Sequence, residues 1–219
     1  MQLPRGVIDS VPVAVATAPV GITFGVLAEP VFGAWPAVLM SMLMWSGGAQ
    51  FAVLSVLSGG GSLLLAGTAA TVTNARYLPM GFAIAPSMGR SLIGRVLTGA
   101  LVVDASFVIA RRDNGRFDIN AIAWAAPLQY AAWVGGTAVG VIGAGSLGDP
   151  DRLGLDVMFP VFFLGLLLPE LRGPNWRALL VACLAAVIAL ALTPITPTGV
   201  PVIAGALTAL IGLRKEHKS

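Results

Sequence analysis

Apolar residues in this chain fall into long runs, and polar residues collect in the short segments between them. Eight runs stand out: 11–28, 36–57, 62–85, 92–110, 121–143, 155–168, 176–192 and 199–213. A bilayer core about 30 Å thick takes about 20 residues of helix, so most of the runs are long enough to span. Runs 155–168 and 199–213 are short, which predicts seven or eight spans, with eight preferred. A transmembrane β-barrel needs strands of alternating polarity, and these runs are apolar on every face. The pattern predicts an all-α integral membrane protein: a polytopic bundle of seven or eight transmembrane helices, some broken or kinked at proline or glycine. The connections are too short for a soluble module, so residues 1–219 read as a single transmembrane domain.

Composition agrees with this pattern. Hydrophobic residues make up 57% of the chain and charged residues 11%, well below the roughly 25% of soluble domains. A net charge of +3 suggests nucleic acid only until the basic residues are placed. With eight spans and the N-terminus inside, the inner side collects Arg5, Arg111, Arg112, Arg116, Arg172, Arg177, Arg214, Lys215 and Lys218. The outer side receives Arg90, Arg95 and Arg152. That asymmetry predicts both termini in the cytoplasm of a multi-pass bacterial inner-membrane protein, with no nucleic-acid partner. The first run has a small-residue Ala16-Thr17-Ala18 stretch, but Pro19 follows it and the apolar segment before it is short, so it reads as a retained span. The single cysteine, Cys183, excludes an intramolecular disulfide and a thiol metal cluster, and no cofactor is expected.

Polar residues inside the runs carry the chemistry. The third run contains Asn74 at its midpoint and Arg76 less than a turn beyond. Arginine at the centre of a membrane helix costs about 2.5 to 3.5 kcal/mol on the insertion scale, so it requires a compensating partner. Pro79 clashes with the carbonyl four residues earlier, on Ala75, which predicts a break or kink between Asn74 and Arg76. Asp104 in the fourth run is the natural carboxylate, because antiparallel third and fourth spans would place each charge roughly 4 to 5 Å from the midplane. The two can pair directly, or divide a substrate's charges with Asp104 coupling to protons. Further interruptions are expected in the first run, at Pro19, Gly21 and Gly25, and in the second, at Ser46-Gly47-Gly48-Ala49-Gln50. The substrate-binding candidates are therefore Asn74, Arg76, Gln50, Gly21 and Gly48, with Asp104 as the proton-coupling candidate. Gly21-x-x-x-Gly25 and Gly136-x-x-x-Gly140 also have the spacing of close helix contacts in lipid. No internal repeat is legible in the sequence.

The order of these residues resembles the AzlC family of branched-chain amino acid exporters. The likeness rests on Pro19-x-Gly21-x-x-Phe24-Gly25, Met40-Ser41, Gly48-Ala49-Gln50-Phe51, Asn74-x-Arg76, Asp104, and Leu153-Gly154-Leu155-Asp156 running to Phe159-Pro160. It covers nearly the whole chain. The resemblance implies export of leucine, isoleucine and valine, with methionine or toxic analogues in some members, driven by the proton gradient. It also implies a small AzlD-type membrane subunit as an obligate partner, within a possible homo-oligomer of the heterodimer. Tyr77 stands where family members often carry histidine.

Two readings from other classes compete. A channel-like conduit would call for rings of like charge or a repeated filter sequence, neither of which the chain carries. A non-transporting membrane scaffold would co-purify with a complex and move no solute. No serine–histidine pair, zinc-ligand cluster or paired aspartates lie in the runs, so an enzyme is not expected.

Overall fold

A computed structural model describes residues 4–112, 116–146, 164, 168, 176–196 and 200–208. Ten α-helices occur among them. They are α1 (Arg5–Phe32), α2 (Ala34–Leu43), α3 (Gly47–Ser58), α4 (Leu63–Asn74), α5 (Tyr77–Ile84), α6 (Leu92–Ala100), α7 (Asp104–Ala110), α8 (Ile119–Ala144), α9 (Trp176–Leu192) and α10 (Val200–Leu207). A 3₁₀ turn, Ala85–Ser87, follows α5. The only β-pairing among the described residues is an isolated bridge between Arg111 and Phe117 in the charged loop before α8.

The first run forms one helix. α1 continues through Pro12, Pro19 and Pro30, so the interruption expected near Pro19 does not occur. The reason lies in its partner. α1 packs along α8 with Gly6 against Ala121, Gly21 against Gly136 and Gly25 against Gly140, so the two helices run parallel. A methyl group at Gly21 would lie 2.7 Å from the Trp133 carbonyl oxygen, and one at Gly136 would lie 2.6 Å from that of Ala18. Backbones this close support a continuous proline-containing helix, and neighbouring helices and hydroxyl side chains compensate for the donors that proline removes. Ser10 and Thr23 are buried on α1 and donate to the carbonyls of Val7 and Pro19. Both spacings predicted to bring helices close therefore meet each other.

The second, third and fourth runs are each divided. α2 ends at Leu43 and α3 begins at Gly47; α4 ends at Asn74 and α5 begins at Tyr77; α6 and α7 meet at an angle of 115° across residues 101–103. The break between Asn74 and Arg76 lies where Pro79 predicts it. The fourth run differs from expectation: Asp104 is not inside a continuous antiparallel span but is the first residue of α7. Ser106 fixes this corner, accepting from the Val103 amide at 2.9 Å and donating to the Leu101 carbonyl at 2.8 Å. Among the described residues, α1 is the one helix long and apolar enough to cross a bilayer unaided, and α6 and α7 qualify only as a bent pair. α8, with 26 residues, matches α1 closely in length.

The chain divides into two compact units, Met1–Gly47 with Asn74–Leu155, and Gly48–Thr73 with Asp156–Ser219. The first contains α1, α2 and α5 to α8. Its core includes Ile84, Val102, Ala110 and Ile122, and Phe24 stacks on Trp133 where α1 meets α8. The second contains most of α3 and α4, closed around Ala52, Val56, Ala66 and Ala69, together with α9 packed on α10. The expected sixth span, apart from Leu164 and Leu168, and the Leu153–Pro160 part of the motif lie outside the described residues.

Candidate functional site

Three interruptions in the first unit supply the polar residues: 44–46, 75–76 and 101–103. Breaking a helix frees backbone groups that must find other partners, and it turns side chains out of helical register. At the first break Ser46 donates to the Asn74 carboxamide oxygen at 2.6 Å. At the second, Tyr77 donates its hydroxyl proton to Ser46 Oγ at 3.3 Å. Arg76 in turn donates Nη2 to the Tyr77 hydroxyl at 3.3 Å, and its guanidinium carbon stands 5.1 Å from the centre of the Tyr77 ring. The donors form one directed chain from Arg76 through Tyr77 and Ser46 to Asn74.

The other end of that chain is an ion pair. Arg76 Nη2 lies 2.9 Å from Asp104 Oδ2, so the two charges pair directly. The side chains are 28% and 41% exposed, so the pair is partly buried. The N-terminus of α7 presents its partial positive charge to Asp104 alongside the guanidinium. Arg76 Nε is buried and without a partner among the described residues.

Beside the chain lies a cavity of about 780 Å³. Its polar wall is Ser46, Asn74, Tyr77 and Tyr130; its apolar wall includes Met42, Trp45, Leu101 and Pro127. Tyr130 on α8 donates to the Met42 carbonyl at 2.9 Å and takes the Trp45 ring edge-on at 5.5 Å, closing one side of the cavity. α8 is tied to α2 again by Ser41 and Thr137, 2.8 Å apart and both buried. Thr137 also lies within hydrogen-bond distance of the Trp133 carbonyl, at 3.0 Å. Asn74 spends its oxygen on Ser46. Its carboxamide nitrogen has no partner among the described residues and is the donor it can offer a bound solute.

The sequence-predicted residues are thus distributed unevenly. Asn74 lines the cavity, and Arg76 with Asp104 stands behind Tyr77 rather than in the wall. Gly21 lies at the α1–α8 contact. Gly48 and Gln50 are buried on α3 and belong to the second unit. Ser46, Tyr77, Trp45 and Tyr130 were not singled out as site residues. Ser46 sits directly before Gly47-Gly48, and Tyr77 directly after Arg76 at a break marked by Pro79, so both had a local signal. Tyr130 had none, because nothing in a continuous α8 marks its cavity-facing side.

Helices throughout the described residues, with three interrupted apolar segments around a paired charge, fit a helical membrane protein. The AzlC protein family matches residues 12–147, more than half of the chain, and the chain belongs to that family. It is 34% identical over 209 residues to an uncharacterized membrane protein of Archaeoglobus fulgidus, covering 93% of this chain and 90% of the relative. It is 28% identical over 227 residues to the inner membrane protein YgaZ of Escherichia coli K12, covering 94% and 89%. No solved structure matches the chain.

Proposed function

We propose that the chain is the large membrane subunit of a secondary transporter that exports branched-chain amino acids, and methionine or analogues, coupled to protons. The observation that carries this reading is the convergence of three helix interruptions on one cavity whose polar wall connects by hydrogen bonds to an intramembrane ion pair. Interrupted helices at membrane depth are the usual architecture of transporter binding sites, since irregular backbone is tolerated there only where it is buried or lines a watery cavity. The apolar wall of Met42, Trp45 and Leu101 suits a branched aliphatic side chain, and Asn74 and Tyr77 suit the polar end of the same molecule. Asp104 is the group proposed to take up and release the coupling proton, with Arg76 as the partner whose contacts change when it does.

The reading includes a small AzlD-type membrane subunit as partner, residence in the bacterial inner membrane, and both termini on the cytoplasmic side. Counterflow of labelled leucine into proteoliposomes holding both subunits tests it. Saturable exchange that Arg76→Gln abolishes, in a variant that still inserts, is the expected result. Absence of leucine exchange by a correctly inserted wild-type complex removes the substrate assignment, and non-saturable flux favours a conduit.

A further inference from the structure

The contacts between α1 and α8 obey an exchange rule. Gly6 faces Ala121, Gly21 faces Gly136 and Gly25 faces Gly140, the residue numbers in each pair differing by 115. The same spacing relates the surroundings of Gly21 and Gly136 atom for atom. A methyl group at Gly21 would meet the Trp133 oxygen at 2.7 Å, the Thr137 nitrogen at 3.3 Å and the Gly136 Cα at 3.5 Å. One at Gly136 would meet the Ala18 oxygen at 2.6 Å, the Ile22 nitrogen at 3.2 Å and the Gly21 Cα at 3.3 Å. Subtracting 115 from each residue of the first set gives the second. At the next turn Gly25 abuts the Thr137 carbonyl and Gly140 abuts the Ile22 carbonyl, again by the same rule. The proline pair Pro12 and Pro127 shares the spacing and lies inside both helices. Two parallel helices whose contacts survive exchange are related by a local two-fold axis running along them.

We infer that α1 and α8 are the equivalent first helices of two parallel copies of one ancestral unit, and that their glycine crossing is a fixed spine of the transport cycle. Parallel repeats related by an axis along the membrane normal are a known plan for transporters. The crossing itself is sterically locked. Sliding or rotating either helix would drive backbone into backbone at Gly25 and Gly140. Movement therefore falls to the breaks at 44–46, 75–76 and 101–103, where the helices are interrupted and whose bordering residues line the cavity against the Pro127 and Tyr130 side of α8.

The motion rests on the transport reading; the equivalence does not. Spin-label distances in the two-subunit complex in liposomes, with Cys183→Ser as background, test the spine. Cysteines replacing the exposed Val15 on α1 and Val139 on α8 report the crossing, and cysteines replacing Leu97 on α6 and Val139 report across the first unit. Saturating leucine and a pH step should shift the second distribution and leave the first unchanged; a shift in the first overturns the spine. The equivalence is read from folding alone. Gly21→Ala and Gly136→Ala should lower Tm by matching amounts, whereas Gly135→Ala, with open space around it, should not. Unequal losses at Gly21 and Gly136 overturn the repeat, whether or not the wild-type complex transports leucine.

Discussion

Arg76 reaches Asp104 from one helix break to another, its Nη2 2.9 Å from Oδ2, so the pair fastens the start of α5 to the start of α7. Neutralising one partner leaves the other uncompensated within the apolar runs, whereas neutralising both removes the imbalance. Arg76→Gln and Asp104→Asn should each lower the thermal stability of the purified protein and abolish leucine counterflow. The double variant should recover part of the stability without recovering transport. Coupling between contacting charges runs at about 0.5–3 kcal/mol, and the partial exposure of both side chains places this pair in the lower part of that range. Strictly additive stability losses would show that the pair does not couple the two helices.

Tyr77 is the only link between that ion pair and the cavity wall among the hydrogen bonds of the described residues. Tyr77→Phe keeps the ring against the guanidinium and removes the hydroxyl that accepts from Arg76 and donates to Ser46. A single net hydrogen bond contributes about 0.5–1.5 kcal/mol, so the stability loss should be modest. The larger effect belongs in the transport assay, where leucine KM should rise because Ser46 and Asn74 lose their anchor. Wild-type KM and stability together would take Tyr77 out of the site.

How far these features were legible depends on whether a break leaves a local mark. Pro79 removes the donor to Ala75, so the break at 75–76 is written in the residues around it. Ser46-Gly47-Gly48 marks the break at 44–46 through backbone freedom. The corner at 101–103 carries Leu101-Val102-Val103, with neither proline nor glycine inside it, and its cause is the Ser106 hydroxyl bound to both the Val103 amide and the Leu101 carbonyl. A serine within an apolar run is too common to signal a 115° turn. α1 fails in the opposite sense: Pro19 with Gly21 and Gly25 predicts interruption, and the tertiary contact with α8 overrides it. The Asn74-x-Arg76 and Asp104 signals were legible because charge in lipid demands a partner. Tyr130 was not, since only the arrangement of α2 against α8 gives it a role.

Glycines in similar helical settings should respond with opposite sign. A methyl group at Gly25 runs into the Thr137 carbonyl and lies 2.8 Å from the Val141 amide, both backbone atoms that cannot step aside. At Gly81, inside α5, nothing lies within 4 Å. Alanine exceeds glycine by about 1 kcal/mol in helix interiors, so Gly81→Ala should be neutral or stabilising. Gly25→Ala should unfold at lower temperature, with reduced yield in detergent. Equal melting temperatures for the two variants would mean that the α1–α8 backbones are not in contact.

Outside the apolar runs, Asp118 offers a test by pH. Its carboxylate pairs with Arg112 and accepts from the Ala121 amide at 3.2 Å, capping α8. The hydrogen bond from Arg112 is the main cause holding its pKa below the ordinary carboxylate value, with the Ala121 amide acting in the same direction against a smaller burial effect. A carboxyl whose pKa is lower in the folded state than in the unfolded one stabilises the fold above the unfolded pKa, which is about 3.9 for aspartate. That stabilisation is lost as pH falls through the folded pKa. Asp118→Asn, which keeps a capping side chain, should therefore melt below the wild type at pH 6, and the gap should narrow on acidification below pH 4. Because a third of the side chain is exposed, salt should narrow the gap at pH 6 as well. A difference in Tm that stays constant from pH 6 to pH 3 would show that the Arg112 pair does not contribute through charge.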